Sequence, residues 1–92
     1  MSVSLSDTDS RTLILYGTDA CHLCELALAI VLAEPLLRGW ALDYIDVAFD
    51  EQLLATFGAQ IPVLSWPARG QLLFWPFDAA AVHALIAGHA LD

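Results

Sequence analysis

Apolar and polar positions fall into short alternating blocks along the chain. After a polar, acidic opening, "TLILY" (residues 12–16) is β-branched, aromatic-rich and almost wholly apolar. Such a run predicts a central strand buried on both faces. Gly17-Thr18-Asp19 is turn chemistry, with two residues able to cap a helix. The Leu- and Ala-rich segment that follows predicts a helix over about 21–37, with Pro35 in its last turn or at a kink and Arg38-Gly39 as its stop. Being apolar nearly all round, this helix is expected to be buried on more than one side.

"WALDYIDV" (40–47) reads as a second strand. "FDEQLLATFG" then predicts a short helix, with Asp50 as cap, Phe49 and Leu54 as a hydrophobic staple and Gly58 as stop. "IPVLSW" and "QLLFW" flank Pro67-Ala68-Arg69-Gly70, the pattern of a hairpin. In "FDAAAVHALIAGHAL" the staple device recurs, with Asp78 as cap and Phe77 and Val82 as the apolar pair. The order is therefore βαβαββα. Two strands joined through a helix imply a right-handed parallel crossover, and the hairpin adds antiparallel strands. The expected architecture is α/β, a four-stranded mixed sheet flanked by three helices.

Composition sharpens this picture. The 92 residues suffice for one core, and 59% hydrophobic against 15% charged residues marks a packed globule rather than a disordered chain. Residues 1–11 read as a flexible tail and 12–92 as the folded domain. The longest uninterrupted apolar run, 26–33, is bounded by Glu25 and Glu34 and is too short to cross a bilayer. The polar, acidic opening does not read as a signal peptide, so a cytoplasmic location is expected. Net charge is −8, with Arg11, Arg38 and Arg69 as the only cations of the basic residues and no lysine. Nucleic-acid phosphates and anionic membranes both require cationic partners, which disfavours each. The negative charge itself serves solubility.

The chemistry lies in "ACHLCEL", where Cys21 and Cys24 are three apart at a strand-to-helix junction. Residues i and i+3 on a helix are neighbours, so the two sulfurs can meet. Unpaired N–H groups and partial positive charge at a helix start favour thiolate over thiol. Cys21 should feel this most, and Cys24, one turn inside, is placed to resolve a mixed disulfide. Zinc would need two more ligands, and only His22, His83, His89 and carboxylates are on offer, without a second pair at metal-site spacing. A cluster shared between two chains, or two inert buried thiols, are the other readings. His22 either stabilises the Cys21 thiolate when protonated or is an exposed helix residue, and Asp19 opposes thiolate formation nearby.

The strand before "GTDACHLC", the element order, the Ile61-Pro62 step and the closing "WPFD" together resemble the glutaredoxin-like family of the thioredoxin-fold superfamily. The Cys-x-Leu-Cys, "IPVL" and "WPFD" motifs are similar to those of a group of small bacterial and yeast glutaredoxin-like proteins. That resemblance implies a thioredoxin/glutaredoxin-like fold over 12–91. It also implies a cis Pro62 beside the cysteines, with the Ile61 backbone free to pair with an extended substrate. Asp78 corresponds to the acid that holds the glutamyl end of glutathione, or is an N-cap only. Trp75-Pro76-Phe77 stands where glutaredoxins carry glycines, Thr18 where they carry lysine, and Arg69 is a poorly placed partner for the glycyl carboxylate.

The function this implies is thiol–disulfide oxidoreduction, with Cys21 and Cys24 catalytic and Ile61, Pro62 and Asp78 binding substrate. No bound cofactor or metal is expected, and glutathione is a candidate reductant. A disulfide-containing protein or a glutathione mixed disulfide is the expected partner of a monomer. The alternative is a non-catalytic thioredoxin-fold binding module, taking metal or an Fe–S cluster through the cysteines and contacting partners through Trp66, Trp75 and Phe77.

Overall fold

Strand β1 (Thr12–Gly17) lies inside a four-stranded sheet of order β2-β1-β3-β4, in a computed structural model that describes residues 11–90. The expected tail therefore falls, apart from Arg11, outside the described residues. Strand β2 (Ala41–Asp46) runs parallel to β1, from Thr12↔Ala41 to Gly17↔Asp46. Strands β3 (Val63–Trp66) and β4 (Gln71–Phe74) complete the sheet antiparallel, β3 on β1 and β4 on β3. Helix α1 (His22–Leu32) joins β1 to β2, α2 (Glu51–Phe57) joins β2 to β3, and α3 (Ala79–Ala90) follows β4. The order βαβαββα and the mixed sheet match the expected architecture.

The core lies on one face of the sheet. Leu13, Leu15, Leu64 and Trp66 meet Ala27 and Val31 of α1, together with Phe77, Val82 and Ile86 at and within α3. The opposite face is covered by less. Phe57 of α2 stacks on Tyr16 with ring centroids 4.6 Å apart. Accordingly β1 has Leu13, Leu15 and Gly17 buried, while Thr12, Ile14 and Tyr16 are half-buried. The expectation of a strand buried equally on both faces is corrected to that extent, because a seven-residue helix cannot roof four strands.

Helix α1 also departs from expectation. It stops at Leu32, and residues Pro35–Leu37 form a separate 3-10 turn. Proline disfavours helical backbone at the preceding residue, and Glu34 is extended (φ −76°, ψ 115°). Its carboxylate caps the new turn at the Leu36 N–H (2.9 Å) and meets His83 Nδ1 of α3 at 3.2 Å, which explains a buried acid. Only the stripe Cys24, Ala27, Val31 is buried, whereas Leu23, Leu26 and Leu32 stay exposed. In so small a domain only one flank of α1 finds a partner.

Three further carboxylates cap the starts of elements. Asp46 Oδ1 accepts from Ala48 N–H (2.9 Å) and opens the 3-10 turn Val47–Phe49, which ends β2 one residue short of the expected 47; at its other end β2 starts at Ala41 rather than 40. Asp50 Oδ1 accepts from the Gln52 and Leu53 N–H groups at α2. Asp78 Oδ1 accepts from Ala81 N–H (2.9 Å) at α3. The two expected staples fare differently. Phe77 and Val82 share the core, but Phe49 is 85% exposed, since Val47 of the preceding turn occupies the buried position instead. The hairpin turn is the 3-10 turn Pro67–Arg69, closed by Gly70 at φ 63°, a backbone that glycine adopts without steric cost.

One-sided burial sets the expected costs. Leu64→Ala should destabilise the fold by about 2–5 kcal/mol. Leu32→Ala, on the exposed flank, should change it by no more than about 0.5 kcal/mol. Urea denaturation of the two variants checks the contrast, and similar losses would contradict the placement of α1.

Candidate redox site

Strand β1 ends at Gly17, and Thr18, Asp19 and Ala20 turn the chain into α1. Ala20 takes the left-handed conformation (φ 56°), which costs a residue with a Cβ about 1–2 kcal/mol and so marks a turn held by its surroundings. Cys21 follows as the N-cap rather than the first helical residue, extended at φ −110°, ψ 104°. Its Sγ accepts from Cys24 N–H at 3.1 Å, and its carbonyl takes the first helical bond, from Glu25 N–H, at 3.1 Å. The sulfur therefore stands where a capping oxygen ordinarily stands, facing the donor end of the helix.

Cys21 and Cys24 are joined as a disulfide, with Cα atoms 5.2 Å apart. The two sulfurs have different access. Cys24 is fully buried, whereas Cys21 is partly exposed. A thiol from solution or from a protein can reach the Cys21 side, and Cys24 is shielded beneath it. His22 is exposed on α1.

Sheet register brings the other candidates to this end of the molecule. Tyr16 pairs with Val63, which pairs with Phe74. The Gly17 end of β1, the Ile61-Pro62 step before β3 and the Trp75–Asp78 stretch after β4 thus emerge at one end of the sheet. The Ile61-Pro62 bond is cis and Pro62 is fully buried; the Trp75-Pro76 bond, for which the sequence raised no such expectation, is cis as well. Asp78 caps α3, and Trp75 and Phe77 contact each other edge to face at 5.0 Å. Trp66 and Phe77 are buried in the core, Trp66 also packing against Trp40 at 5.1 Å, so the contact patch expected of Trp66, Trp75 and Phe77 is not an exposed surface. His83 is engaged with Glu34. Among the described residues, no group of three or more His, Cys, Asp or Glu side chains converges on a metal position.

The charge distribution is polarised along β1. Arg11 precedes β1, Arg38 precedes the parallel β2, and Arg69, over the Trp66 ring at 5.7 Å, lies in the hairpin beyond Trp66. All three arginines are therefore at the end of the sheet opposite the cysteines. At the cysteine end stand Asp19, Glu25 and Asp46, around the phenol of Tyr44. Tyr44 is a site residue that sequence reading missed. It projects from β2 beside Leu15, packs over Gly17 and donates its hydroxyl to the Thr18 carbonyl at 3.1 Å. The available signal was Gly17 itself, a side-chain-free position at the end of an otherwise bulky strand. A cleft of about 220 Å³ lies here, lined by Thr18, Asp19, Ala20, Glu25, Leu28 and Tyr44. A larger cavity of about 280 Å³, between Trp40, Leu42 and Glu34, sits at the far end of the sheet, away from the cysteines.

A mixed sheet with α1 and α3 on one face and α2 on the other, carrying a disulfide-forming cysteine pair at its first strand-to-helix junction, defines a thioredoxin-fold protein suited to a redox role. Within that class, residues 12–87 match the model of the glutaredoxin-like domain (DUF836), and the chain belongs to that family. It is similar to the X-ray structure of Northeast Structural Genomics target protein XcR50 from X. campestris, at 34% identity and a TM-score of 0.71, over 83% of this chain and 96% of that one. The solution structure of the same target gives 34% identity and a TM-score of 0.69, over 83% and 92%. No curated protein matches the sequence.

Burial raises the Tyr44 phenol above its ordinary value of 10.0, and the negative charges of Asp46, Asp19 and Glu25 add to this. The folded chain therefore holds this proton more tightly than the unfolded chain does. The resulting stability is complete below pH 10.0 and is lost as pH rises through the higher folded value. In a Tyr16→Phe background, absorbance at about 295 nm should titrate with a midpoint above the free-tyrosine value of about 10. A midpoint at or below that value would contradict the placement of the ring. A methyl group at Gly17 would clash with the Tyr44 ring, so Gly17→Ala should destabilise the fold by about 1–3 kcal/mol in urea denaturation.

Proposed function

We propose that the protein is a thiol–disulfide oxidoreductase in which Cys21 is the attacking sulfur and Cys24 the resolving one. One observation carries the reading: Cys21 caps α1 with its sulfur facing the Cys24 N–H, while Cys24 is fully buried one turn inside. A helix N-terminus favours negative charge on the capping atom. In the reduced protein the Cys21 thiolate attacks a substrate disulfide, forming a Cys21–substrate bond and releasing the first substrate thiolate. Cys24 then loses its proton, and its thiolate attacks Cys21 Sγ. The Cys21–Cys24 bond forms, the Cys21–substrate bond breaks, and the second substrate thiolate leaves. Two electrons pass to the substrate, and a reductant, either one dithiol or two monothiols, must return them. Such a cycle belongs to a reducing compartment, and the cytoplasm is the proposed location.

The Ile61-Pro62 step is the proposed edge for an extended substrate, since it lies at the cysteine end next to β3. Glutathione fits this site poorly. Pro76 offers no N–H for a carboxylate, and every arginine stands at the opposite end of the sheet. These features support a protein disulfide as substrate and a protein dithiol as reductant.

Cys21→Ser should abolish turnover of a disulfide substrate, and Cys24→Ser should accumulate Cys21 mixed disulfides, visible as added mass under non-reducing conditions. Turnover that survives Cys21→Ser would end the proposal. Reduction of the disulfide by a thioredoxin-type dithiol should outpace reduction by glutathione at equal thiol concentration. The reverse order would restore glutathione as the reductant.

A further inference from the structure

The resolving step makes a demand that the cysteine pair does not meet by itself. Cys24 is fully buried, and burial opposes the negative charge its sulfur must carry before it attacks. The Cys24 N–H at the helix start is directed to Cys21 Sγ, so it serves the outer sulfur. Three carboxylates act on the Tyr44 phenol at this end of the sheet, Asp46 on β2, Asp19 in the β1–α1 turn and Glu25 on α1, and negative charge there does not help a further anion. A neutral donor beside Cys24 would answer the demand.

Gly17 shows where that donor is. A methyl group built on Gly17 would collide with Tyr44 Oη and Cζ and would lie 3.1 Å from Cys24 Sγ. The phenol and the inner sulfur thus border the same side-chain-sized space, kept open by a glycine. Tyr44 is held there by β2, opposite Leu15, with its hydroxyl on the Thr18 carbonyl. Its proton is retained through neutral pH, because burial and the same carboxylates hold the phenol above its ordinary value.

We propose that the Tyr44 hydroxyl is the hydrogen-bond donor that stabilises the Cys24 thiolate in the resolving step, turning its O–H from the Thr18 carbonyl to the sulfur across Gly17. The assignment rests on the exchange reading given above. In the Cys21 mixed disulfide, the Cys24 thiol gives its proton to solvent water. The sulfur's electron pair forms the Cys21–Cys24 bond, the Cys21–substrate bond breaks, and the departing thiolate takes a proton from water. Tyr44 keeps its own proton throughout and acts only as a donor. Charge on the sulfur strengthens such a bond relative to the neutral one it replaces at Thr18.

Tyr44→Phe removes the hydroxyl and keeps the ring over Gly17. In a Cys21→Ser background, the pH dependence of the Cys24 ¹³Cβ shift reads the thiolate directly. Its midpoint should rise by about one pH unit on Tyr44→Phe, the size expected for a hydrogen bond to an ionised group. In the protein with both cysteines, Cys21 can be loaded with 2-nitro-5-thiobenzoate, and release of that coloured thiol follows closure of the pair. Tyr44→Phe should slow release by about tenfold at neutral pH and displace its pH profile upward. If the wild type itself releases no thiol, the exchange reading falls and this assignment falls with it. If the wild type releases thiol and Tyr44→Phe matches it in midpoint, rate and profile, the assignment to Tyr44 alone is overturned.

Discussion

Where β1 ends at Gly17, three parts of the chain converge on a volume little larger than a methyl group: the strand backbone, the Tyr44 phenol from β2 and Cys24 Sγ from α1. Close approach of helix to strand at this point has several consequences for the site. It buries the inner sulfur while Cys21, one helical turn back, remains accessible. It requires the chain to leave β1 and enter α1 within three residues, which places Ala20 in left-handed backbone and Cys21 at the cap. It also fixes the phenol at the Thr18 carbonyl, amid the carboxylates of the turn and of α1. The asymmetry between the two sulfurs is thus a packing result before it is a chemical one.

The number, order and type of elements were legible in the chain because each block carried its own period and punctuation. Asp50 and Asp78 announced their helices as caps, and Gly70 announced the hairpin turn. The cysteine spacing and the strand before it located the redox pair. Features that depend on how elements meet were less legible. Pro35 was visible, but only the packing of the Glu34 carboxylate between Leu36 and His83 shows why a new turn replaces a helix end. Phe49 satisfied the staple pattern and yet faces solvent, because Val47 reaches the core first. Tyr44 was hidden for the same reason. Its role follows from parallel register with β1, which pairs it with Leu15 and leans it over Gly17, and no local pattern encodes register between strands separated by a helix.

Polarity along the sheet axis is a second product of topology. The arginines are far apart in sequence, yet each precedes a strand or occupies a hairpin at the same end of the sheet. The cysteine end is left with carboxylates and no counter-cation among the described arginines. A substrate approaching Cys21 meets that field first, and its reach is about a Debye length, roughly 8 Å at physiological ionic strength.

The uncovered flank of α1 has a consequence beyond chemistry. Leu23, Leu26 and Leu32 are each exposed on α1, on either side of its buried line. Opposing contact between such leucines of two molecules is the repulsion expected between chains that each carry a net charge of −8. That barrier to association is electrostatic. It weakens when salt shortens the range of repulsion, and it disappears as acid titrates the carboxylates toward the isoelectric point near 4.3, where the leucines are left as sticky contacts between neutral particles.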